Sequence, residues 1–85
     1  MKEFSGKVAL ITGAANGFGK ALAIEAAGRG MKLALVDIDN ADLTGTTAVL
    51  RNLGAEVLPI HADVTKFEDV RASVEKTLAA YGSID

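Results

Sequence analysis

The strongest constraint on the fold is a threefold alternation of short apolar runs with helical patterns. The runs rich in β-forming residues are Lys7 to Thr12, Lys32 to Asp37 and Glu56 to Ala62, and a helix-like pattern follows each of them. Two of these runs are almost continuously apolar, which is typical of strands covered on both faces in a parallel sheet. The sequence therefore predicts an α/β fold made of three βα units.

The first two predicted helices follow directly from their boundary residues. The first begins at Gly17 in an alanine-rich stretch and ends near Gly30, its predicted C-cap. The second covers residues 41–52, with Asp39 or Asn40 as its N-cap and Gly54 past its end. Its expected buried face carries Leu43, Thr47 and Leu50.

The third predicted helix has the clearest periodicity. Thr65 and Glu68 match a T-x-x-E capping box at its start, and Gly82 follows its end. Apolar residues at three- and four-residue steps predict its buried face, namely Phe67, Val70, Val74, Leu78 and Tyr81.

Pro59 indicates the order of the strands. Proline cannot donate a ladder hydrogen bond, so the third strand is expected at an edge of the sheet. A doubly wound sheet of order 3-2-1 satisfies this requirement. In that order the other edge is the first strand, and we expect its unpaired side to favour edge-to-edge association through residues 8–12 or incomplete order.

Composition excludes several classes of function. The chain has 85 residues, 49% of them hydrophobic and 24% charged, and its net charge of −2 provides no basic face for nucleic acid or anionic lipid. It contains no cysteine, which excludes disulfides and thiolate metal sites, and its single histidine argues against a zinc cluster. With only a short apolar run near its start, we expect a soluble cytoplasmic protein of one domain.

The stretch ITGAANGFG, residues 11–19, places three glycines between the first strand and the first helix. A helix N-terminus offers unpaired N–H groups and the positive end of the helix dipole, and the missing side chains let a pyrophosphate approach. By analogy with the dinucleotide-binding fingerprint, Gly13 makes the turn, Gly17 lies beside the phosphates and Gly19 permits close packing of the helix. Asp37 ends the next strand at about the 20-residue spacing expected for a ribose-binding carboxylate. This context favours a dinucleotide site over a simple turn.

The segment TGAANGFG resembles the T-G-x-x-x-G-x-G motif of the short-chain dehydrogenase/reductase (SDR) family. The VD pair at 36–37 and the ADVT segment at 62–65 also match that family, so the resemblance covers the whole chain. It implies a Rossmann-like doubly wound parallel sheet, of which these are the first three βα units. Residues 1–85 would then form the N-terminal part of one dinucleotide-binding domain, with no second domain.

The resemblance also implies a role for particular residues. The glycine loop would hold the NAD(P) pyrophosphate, Asp37 the adenosine ribose, and Asp63 with Val64 the adenine. Phe18 replaces the isoleucine that is more common in the family, a conservative change that should leave the backbone contact intact. The complete predicted cofactor-binding set is Gly13, Ala15, Asn16, Gly17, Phe18, Gly19, Asp37, Ile38, Asp63 and Val64. No catalytic or metal-binding residue is assigned.

Several of these residues have a simpler interpretation. Asp63 alone suggests a polar strand end, Asn16 a helix N-cap and Phe18 a core residue, and only the family resemblance favours a role in binding for them. His61 is interpreted as an edge-strand residue. Lys20 is interpreted as a solvated helix side chain that adds weak attraction for phosphate.

Asp37 also predicts the choice of cofactor. Its carboxylate would face the 2′-phosphate of NADP, and no arginine or lysine occupies positions 14–16 or 38 to compensate. We therefore expect NAD to be preferred over NADP.

The residues that perform the chemistry in this family do not occur in the chain. Its Y-x-x-x-K motif is absent, since Tyr81 has Asp85 where that motif requires lysine. The resemblance implies a parent oxidoreductase, expected to be a homo-oligomer, that moves hydride between a nicotinamide and a carbonyl or alcohol carbon. The chain alone is predicted to be inactive.

Two alternatives stay open at the level of sequence. One is a free-standing nucleotide-binding or folding module without catalysis. The other is a parent that performs epimerase or dehydratase chemistry on nucleotide sugars, a branch that tends to use the spacing G-x-x-G-x-x-G. Glycines at 13, 17 and 19 disfavour this second alternative.

Overall fold

The computed structural model describes residues 4–85, and strand and helix alternate through this part of the chain as predicted. The elements are β1 (Val8–Thr12), α1 (Gly17–Gly28), β2 (Lys32–Asp37), α2 (Asn40–Asn52), β3 (Val57–His61) and α3 (Phe67–Tyr81). Within residues 4–85, no helix is both long enough and apolar enough to cross a membrane.

The strands form a parallel sheet in which β2 lies between β1 and β3. This arrangement confirms the predicted order 3-2-1. Successive β2 side chains point to opposite faces, and its four apolar residues Leu33, Ala34, Leu35 and Val36 are all fully buried. The continuous apolar pattern of β2 is therefore explained by helices on both faces of the sheet.

The two faces of the sheet carry separate parts of the core. On one face α1 and α2 pack against the strands through a cluster that includes Ala23, Leu35, Leu43 and Leu50. On the other face α3 contacts β2 and β3 near a smaller cluster formed by Ala34, Val36, Ile60 and Ala62. This division is the one expected from right-handed βαβ crossovers in a doubly wound sheet.

Pro59 lies at the edge of the sheet, as its lack of an N–H requires. The carbonyl of Glu56 accepts from Leu33, and the N–H of Ala62 donates to Asp37, so the even-numbered residues of this segment face β2. Because the direction alternates along a strand, the nitrogen of Pro59 points away from the sheet. The edge position of β3 is confirmed.

The ends of α1 and α2 agree closely with the prediction. Arg29 is the C-cap of α1, and Gly30, one residue further on, has the left-handed φ of 80° that ends the helix. In α2 the side chain of Asp39 accepts from the N–H of Asp42 at 3.0 Å, which identifies Asp39 as the N-cap. Leu43, Thr47 and Leu50 are all buried, as predicted.

The predicted capping box of α3 is wrong. The N-cap is Lys66, which makes no side-chain cap bond, and the Thr65 hydroxyl instead donates to Asp63 Oδ1 at 2.6 Å. The carboxylate that reaches back from the first turn belongs to Asp69, whose Oδ2 accepts from the N–H of Asp63 at 2.8 Å. Asp63 thus competes successfully with the helix for the side chain of Thr65.

The predicted buried face of α3 is also largely wrong. Phe67, Val70 and Leu78 are 75%, 38% and 43% exposed, whereas Ser73 and Thr77 are buried. The hydroxyls of Ser73 and Thr77 each donate to the carbonyl four residues earlier, so burying them leaves no unsatisfied donor. Small hydroxyl residues therefore form part of the buried face of α3.

Part of the outer edge of β1 is paired by hydrogen bonds, although we expected this whole edge to be unpaired. Val8 donates its N–H to Asp85 Oδ2 at 2.9 Å, and its carbonyl accepts from the Asp85 N–H at 2.8 Å. Since Lys7 pairs with β2 and the direction alternates, Leu10 and Thr12 are the β1 residues whose backbone groups face the remaining open edge.

Candidate functional site

The glycine-rich loop needs left-handed backbone at its two ends. Gly13 follows β1 with a φ of 63°, and Gly17 begins α1 with a φ of 60°. An L-residue in this conformation brings its Cβ close to the following carbonyl oxygen, at a cost of roughly 1–2 kcal/mol. The glycines therefore permit the sharp path from the sheet into the helix.

Gly19 permits a close approach of a different kind. A Cβ added here would overlap with the carbonyl oxygen of Gly13 and would lie 2.7 Å from its carbonyl carbon. No real Cβ tolerates that distance to backbone, so α1 packs on the loop only because residue 19 lacks a side chain. This is the packing role predicted for Gly19.

The N-terminus of α1 has the properties of an anion site. Asn16 is its N-cap residue, in extended conformation, but its side chain makes no cap bond and instead donates to Asp42 Oδ2 at 3.2 Å. The first turn of α1 also contains no acidic residue. The first N–H groups of the helix thus keep their partial positive charge available to a ligand.

Asp37 connects the end of β2 to this loop. Its Oδ2 accepts from the N–H of Ala15 at 2.9 Å, and its Oδ1 accepts from the N–H of Asp39 at 2.9 Å. A carboxylate has about four lone-pair sites, so each oxygen can still accept one further hydrogen bond. The carboxylate is held in place and yet able to bind hydroxyl donors.

A cleft of about 380 Å³ opens where the carboxyl ends of the strands meet. Ligands of open α/β sheets bind at this end, beyond the strands. The cleft is lined by Gly13, Val36, Asp37, Ile38, Ala62, Asp63, Val64 and Thr65.

One wall of the cleft is a turn at residues 63–65, which Asp63 stabilises. Its Oδ1 accepts from both the hydroxyl and the N–H of Thr65, at 2.6 and 2.9 Å. The side-chain bond from Thr65, and then its backbone bond, lower the pKa of the Asp63 carboxyl below its ordinary value of 3.8. Asp63 is therefore ionised at neutral pH and fixed toward the turn.

The structure brings together half of the predicted cofactor-binding residues in this cleft. Its lining includes Gly13, Asp37, Ile38, Asp63 and Val64. The others, Ala15, Asn16, Gly17, Phe18 and Gly19, form the loop and the first turn of α1 outside the cleft lining. Phe18 is 83% exposed, which excludes its simpler interpretation as a core residue.

Sequence reasoning missed several residues that shape this site. Thr65 lines the cleft, and Thr46 on α2 donates its hydroxyl to the carbonyl of Ala15 at 2.7 Å. His61 was interpreted only as an edge-strand residue, but its Nε2 lies 2.8 Å from the carbonyl oxygen of Ile38. The step of three residues from Leu43 to Thr46 was the available signal that Thr46 faces the core.

A comparison with known families agrees with this geometry. The family model described as short chain dehydrogenase matches residues 7–85. The chain therefore belongs to the short-chain dehydrogenase/reductase family, and it forms the N-terminal Rossmann portion of such a protein.

Individual relatives show the same relationship. A CLA biosynthesis dehydrogenase/reductase of Lactiplantibacillus plantarum is 51% identical over 85 residues, which are 100% of this chain and 30% of that protein. Among solved structures, a short chain dehydrogenase/reductase from Burkholderia phymatum in complex with NAD has a TM-score of 0.95 and 46% identity, over 99% of this chain and 30% of that one. A 3-ketoacyl-(acyl-carrier-protein) reductase from Brucella melitensis complexed with NADH has a TM-score of 0.88 and 40% identity, over 96% of this chain and 33% of that one. The chain thus spans about a third of the length of these relatives.

Proposed function

We propose that this chain forms the adenosine-binding part of the cofactor site in an oxidoreductase that uses a nicotinamide dinucleotide. The observation that carries the proposal is the convergence of the glycine loop, Asp37 and the turn at Asp63 on one end of the sheet. A dinucleotide needs a site for its anionic pyrophosphate beside a site for its ribose hydroxyls, and this end of the sheet offers both.

Each part of the cofactor has a proposed partner. The pyrophosphate would lie against the loop and the start of α1, formed by Gly13, Ala15, Asn16, Gly17, Phe18 and Gly19. Asp37 and Ile38 would hold the adenosine ribose, and Asp63 with Val64 would border the adenine. The fixed position of the Asp37 carboxylate supports the ribose contact, because its free lone pairs are already directed when the ligand arrives.

We further propose that the cofactor is NAD rather than NADP. Asp37 has no cationic residue beside it at positions 14–16 or 38, and Asp39 and Asp42 add negative charge at the start of α2. A 2′-phosphate would be repelled here, whereas a 2′-hydroxyl can donate a hydrogen bond. The NAD and NADH complexes of the two structural relatives are consistent with this choice.

The reaction proposed for the parent enzyme is hydride transfer between the nicotinamide and a carbonyl or alcohol substrate. Residues 1–85 would contribute binding and orientation as part of one dinucleotide-binding domain. Turnover requires a positioned substrate and a proton donor as well as the cofactor, and this chain has no Y-x-x-x-K motif. We expect the 85-residue chain to bind NAD without catalysing its reduction.

The substitution Gly17→Val tests the proposal by calorimetric titration with NAD. No atom lies within 4 Å of an added Cβ, so the valine side chain would occupy the open space next to the loop, where the pyrophosphate is proposed to bind. We expect NAD affinity to fall by at least about tenfold, since even 1.4 kcal/mol of lost contact produces that change.

Gly54→Val is the matched control. Gly54 also has a left-handed φ, 90°, and open space around its Cβ, but it lies between α2 and β3, at the opposite end of the sheet. Both variants place the same β-branched residue at a position with left-handed φ, and circular dichroism checks whether each variant folds. The proposal is wrong if Gly17→Val binds NAD as tightly as Gly54→Val does.

A further inference from the structure

The peptide groups of Ala15 are held on both sides by residues distant in sequence. The N–H of Ala15 donates to Asp37 Oδ2 at 2.9 Å, and its carbonyl oxygen accepts from Thr46 Oγ1 at 2.7 Å. Ala15 and Thr46 are each only 3% exposed. The centre of the glycine-rich loop is thus bonded to β2 through a part-buried hydrogen bond and to α2 through a buried one.

These two bonds act where the chain is otherwise easy to deform. Gly13 and Gly17 lie on either side of Ala15, and glycine has the widest range of accessible backbone conformations. A carbonyl buried away from water needs a donor, and the Thr46 hydroxyl is the donor that the described residues supply to Ala15. Fixing this carbonyl fixes the direction in which the chain enters α1.

We propose that Thr46 is a positioning residue of the nucleotide site. Its hydroxyl holds the loop in the conformation that presents the N–H groups of α1 to the pyrophosphate. Thr46 does not line the cleft itself and acts through Ala15. The inference rests on the proposed function of the loop, and it adds α2 to the elements on which cofactor affinity depends.

Thr47 provides a matched control on the same helix. It is 4% exposed, next to Thr46 in sequence, and its Oγ1 has no hydrogen-bond partner among the described residues. Thr46→Val and Thr47→Val therefore make the same chemical change at neighbouring buried sites. Only the first removes a hydrogen bond to the loop.

The first measurement is the amide hydrogen exchange of Ala15 in the unliganded chain. Thr46→Val leaves the Ala15 carbonyl without a donor, and we expect exchange at Ala15 to accelerate by about tenfold, the change that corresponds to one lost buried hydrogen bond. Thr47→Val should exchange as the wild type does. Thr46→Ser keeps the hydroxyl and should restore the slow exchange.

The second measurement is NAD affinity by calorimetry for the same three variants. We expect Thr46→Val to bind about tenfold more weakly, Thr46→Ser to bind nearly as the wild type, and Thr47→Val to be unchanged. If circular dichroism shows that Thr46→Val does not fold, Thr46→Ala takes its place, because alanine also lacks the hydroxyl that donates to Ala15. Thr46→Ala should then bind NAD more weakly than Thr46→Ser, and equal affinities of these two variants would overturn the positioning role.

The outcomes separate this inference from the proposed function. If the wild-type chain does not bind NAD, the proposed function is refuted, and the exchange rates alone decide whether Thr46 fixes the loop. If the wild type binds NAD but Thr46→Val matches Thr47→Val in affinity, the positioning role is overturned.

Discussion

The proposed preference for NAD rests on one carboxylate, that of Asp37, which makes Asp37→Asn the most informative substitution. At about 4 Å and an effective dielectric near 20, two unit charges repel by about 4 kcal/mol. Screening by salt that halves this value leaves about 2 kcal/mol, or a preference for NAD over NADP of roughly thirtyfold. Replacing the carboxylate with a neutral amide should reduce that preference to a few-fold.

The same substitution has a second consequence that follows from the hydrogen bonds. Both oxygens of Asp37 accept from backbone N–H groups, those of Ala15 and Asp39. An asparagine has only one oxygen, so its NH₂ group must face one of these donors. We expect the free energy of unfolding to fall by about 1–3 kcal/mol, the penalty for an unsatisfied donor.

Asp39→Asn is the control for both effects. It removes one negative charge two residues away from Asp37, and asparagine is as good an N-cap as aspartate for α2. Stability and most of the cofactor preference should therefore be retained in this variant.

The assay is calorimetric titration with NAD and NADP at low and high ionic strength. The preference of the wild type should shrink as salt is raised, because the repulsion is screened. Equal dissociation constants of the wild type for the two cofactors at low salt would refute the electrostatic reasoning, and so would a preference that survives Asp37→Asn undiminished.

Three other substitutions or conditions give separate tests. Gly45→Ala, at an exposed position inside α2 with open space around its Cβ, should raise the free energy of unfolding by roughly 0.5–1 kcal/mol in urea denaturation, and any destabilisation would contradict the helix geometry. The bonds from Thr65 lower the pKa of Asp63, so their contribution to stability is present above pH 3.8 and is lost as the pH falls through the lower pKa of the folded state. Asp63→Asn should therefore flatten the acid limb of a stability profile followed by circular dichroism, and an unchanged limb would exclude this linkage. The backbone groups of Leu10 and Thr12 face the open edge of β1, so sedimentation should show association that increases with concentration, and a strict monomer with both amides strongly protected would contradict this.

Local sequence patterns determined most of the fold. The continuous apolar run of β2 required cover on both faces of the sheet, and Pro59 required an edge for β3, so strand order followed from two simple constraints. The glycine spacing with Asp37 identified the family, and the match over residues 7–85 confirms it.

The start and the buried face of α3 depended on interactions that periodicity does not contain. Thr65 was predicted to cap the helix, but its hydroxyl donates to the carboxylate of Asp63 instead. Ser73 and Thr77 became buried because each satisfies its hydroxyl within the helix and behaves as a small apolar residue. Because Ser73 and Thr77 are polar residue types, the sequence pattern predicted the wrong buried face for α3.

Thr46 is another residue whose contact could not be predicted from the sequence. The buried face predicted for α2 from sequence included Thr47 but not Thr46, although both are buried. The bond from Thr46 joins residues 31 positions apart, and no local pattern reports such a contact. The bond from Thr46 to Ala15 could be recognised only in the structure, where α2 lies beside the glycine-rich loop.

The most direct test of the dinucleotide site is a map of backbone amide chemical shifts during titration of the ¹⁵N-labelled chain with NAD. We expect saturable shifts at the carboxyl end of the sheet, in Gly13, Ala15, Gly17, Asp37, Ile38, Asp63 and Val64. The opposite end, at Gly54, Ala55 and Glu56, should stay unchanged. Saturable shifts confined to that opposite end, or no saturable shifts at all, would contradict the claim that this chain binds the cofactor through its glycine loop and Asp37.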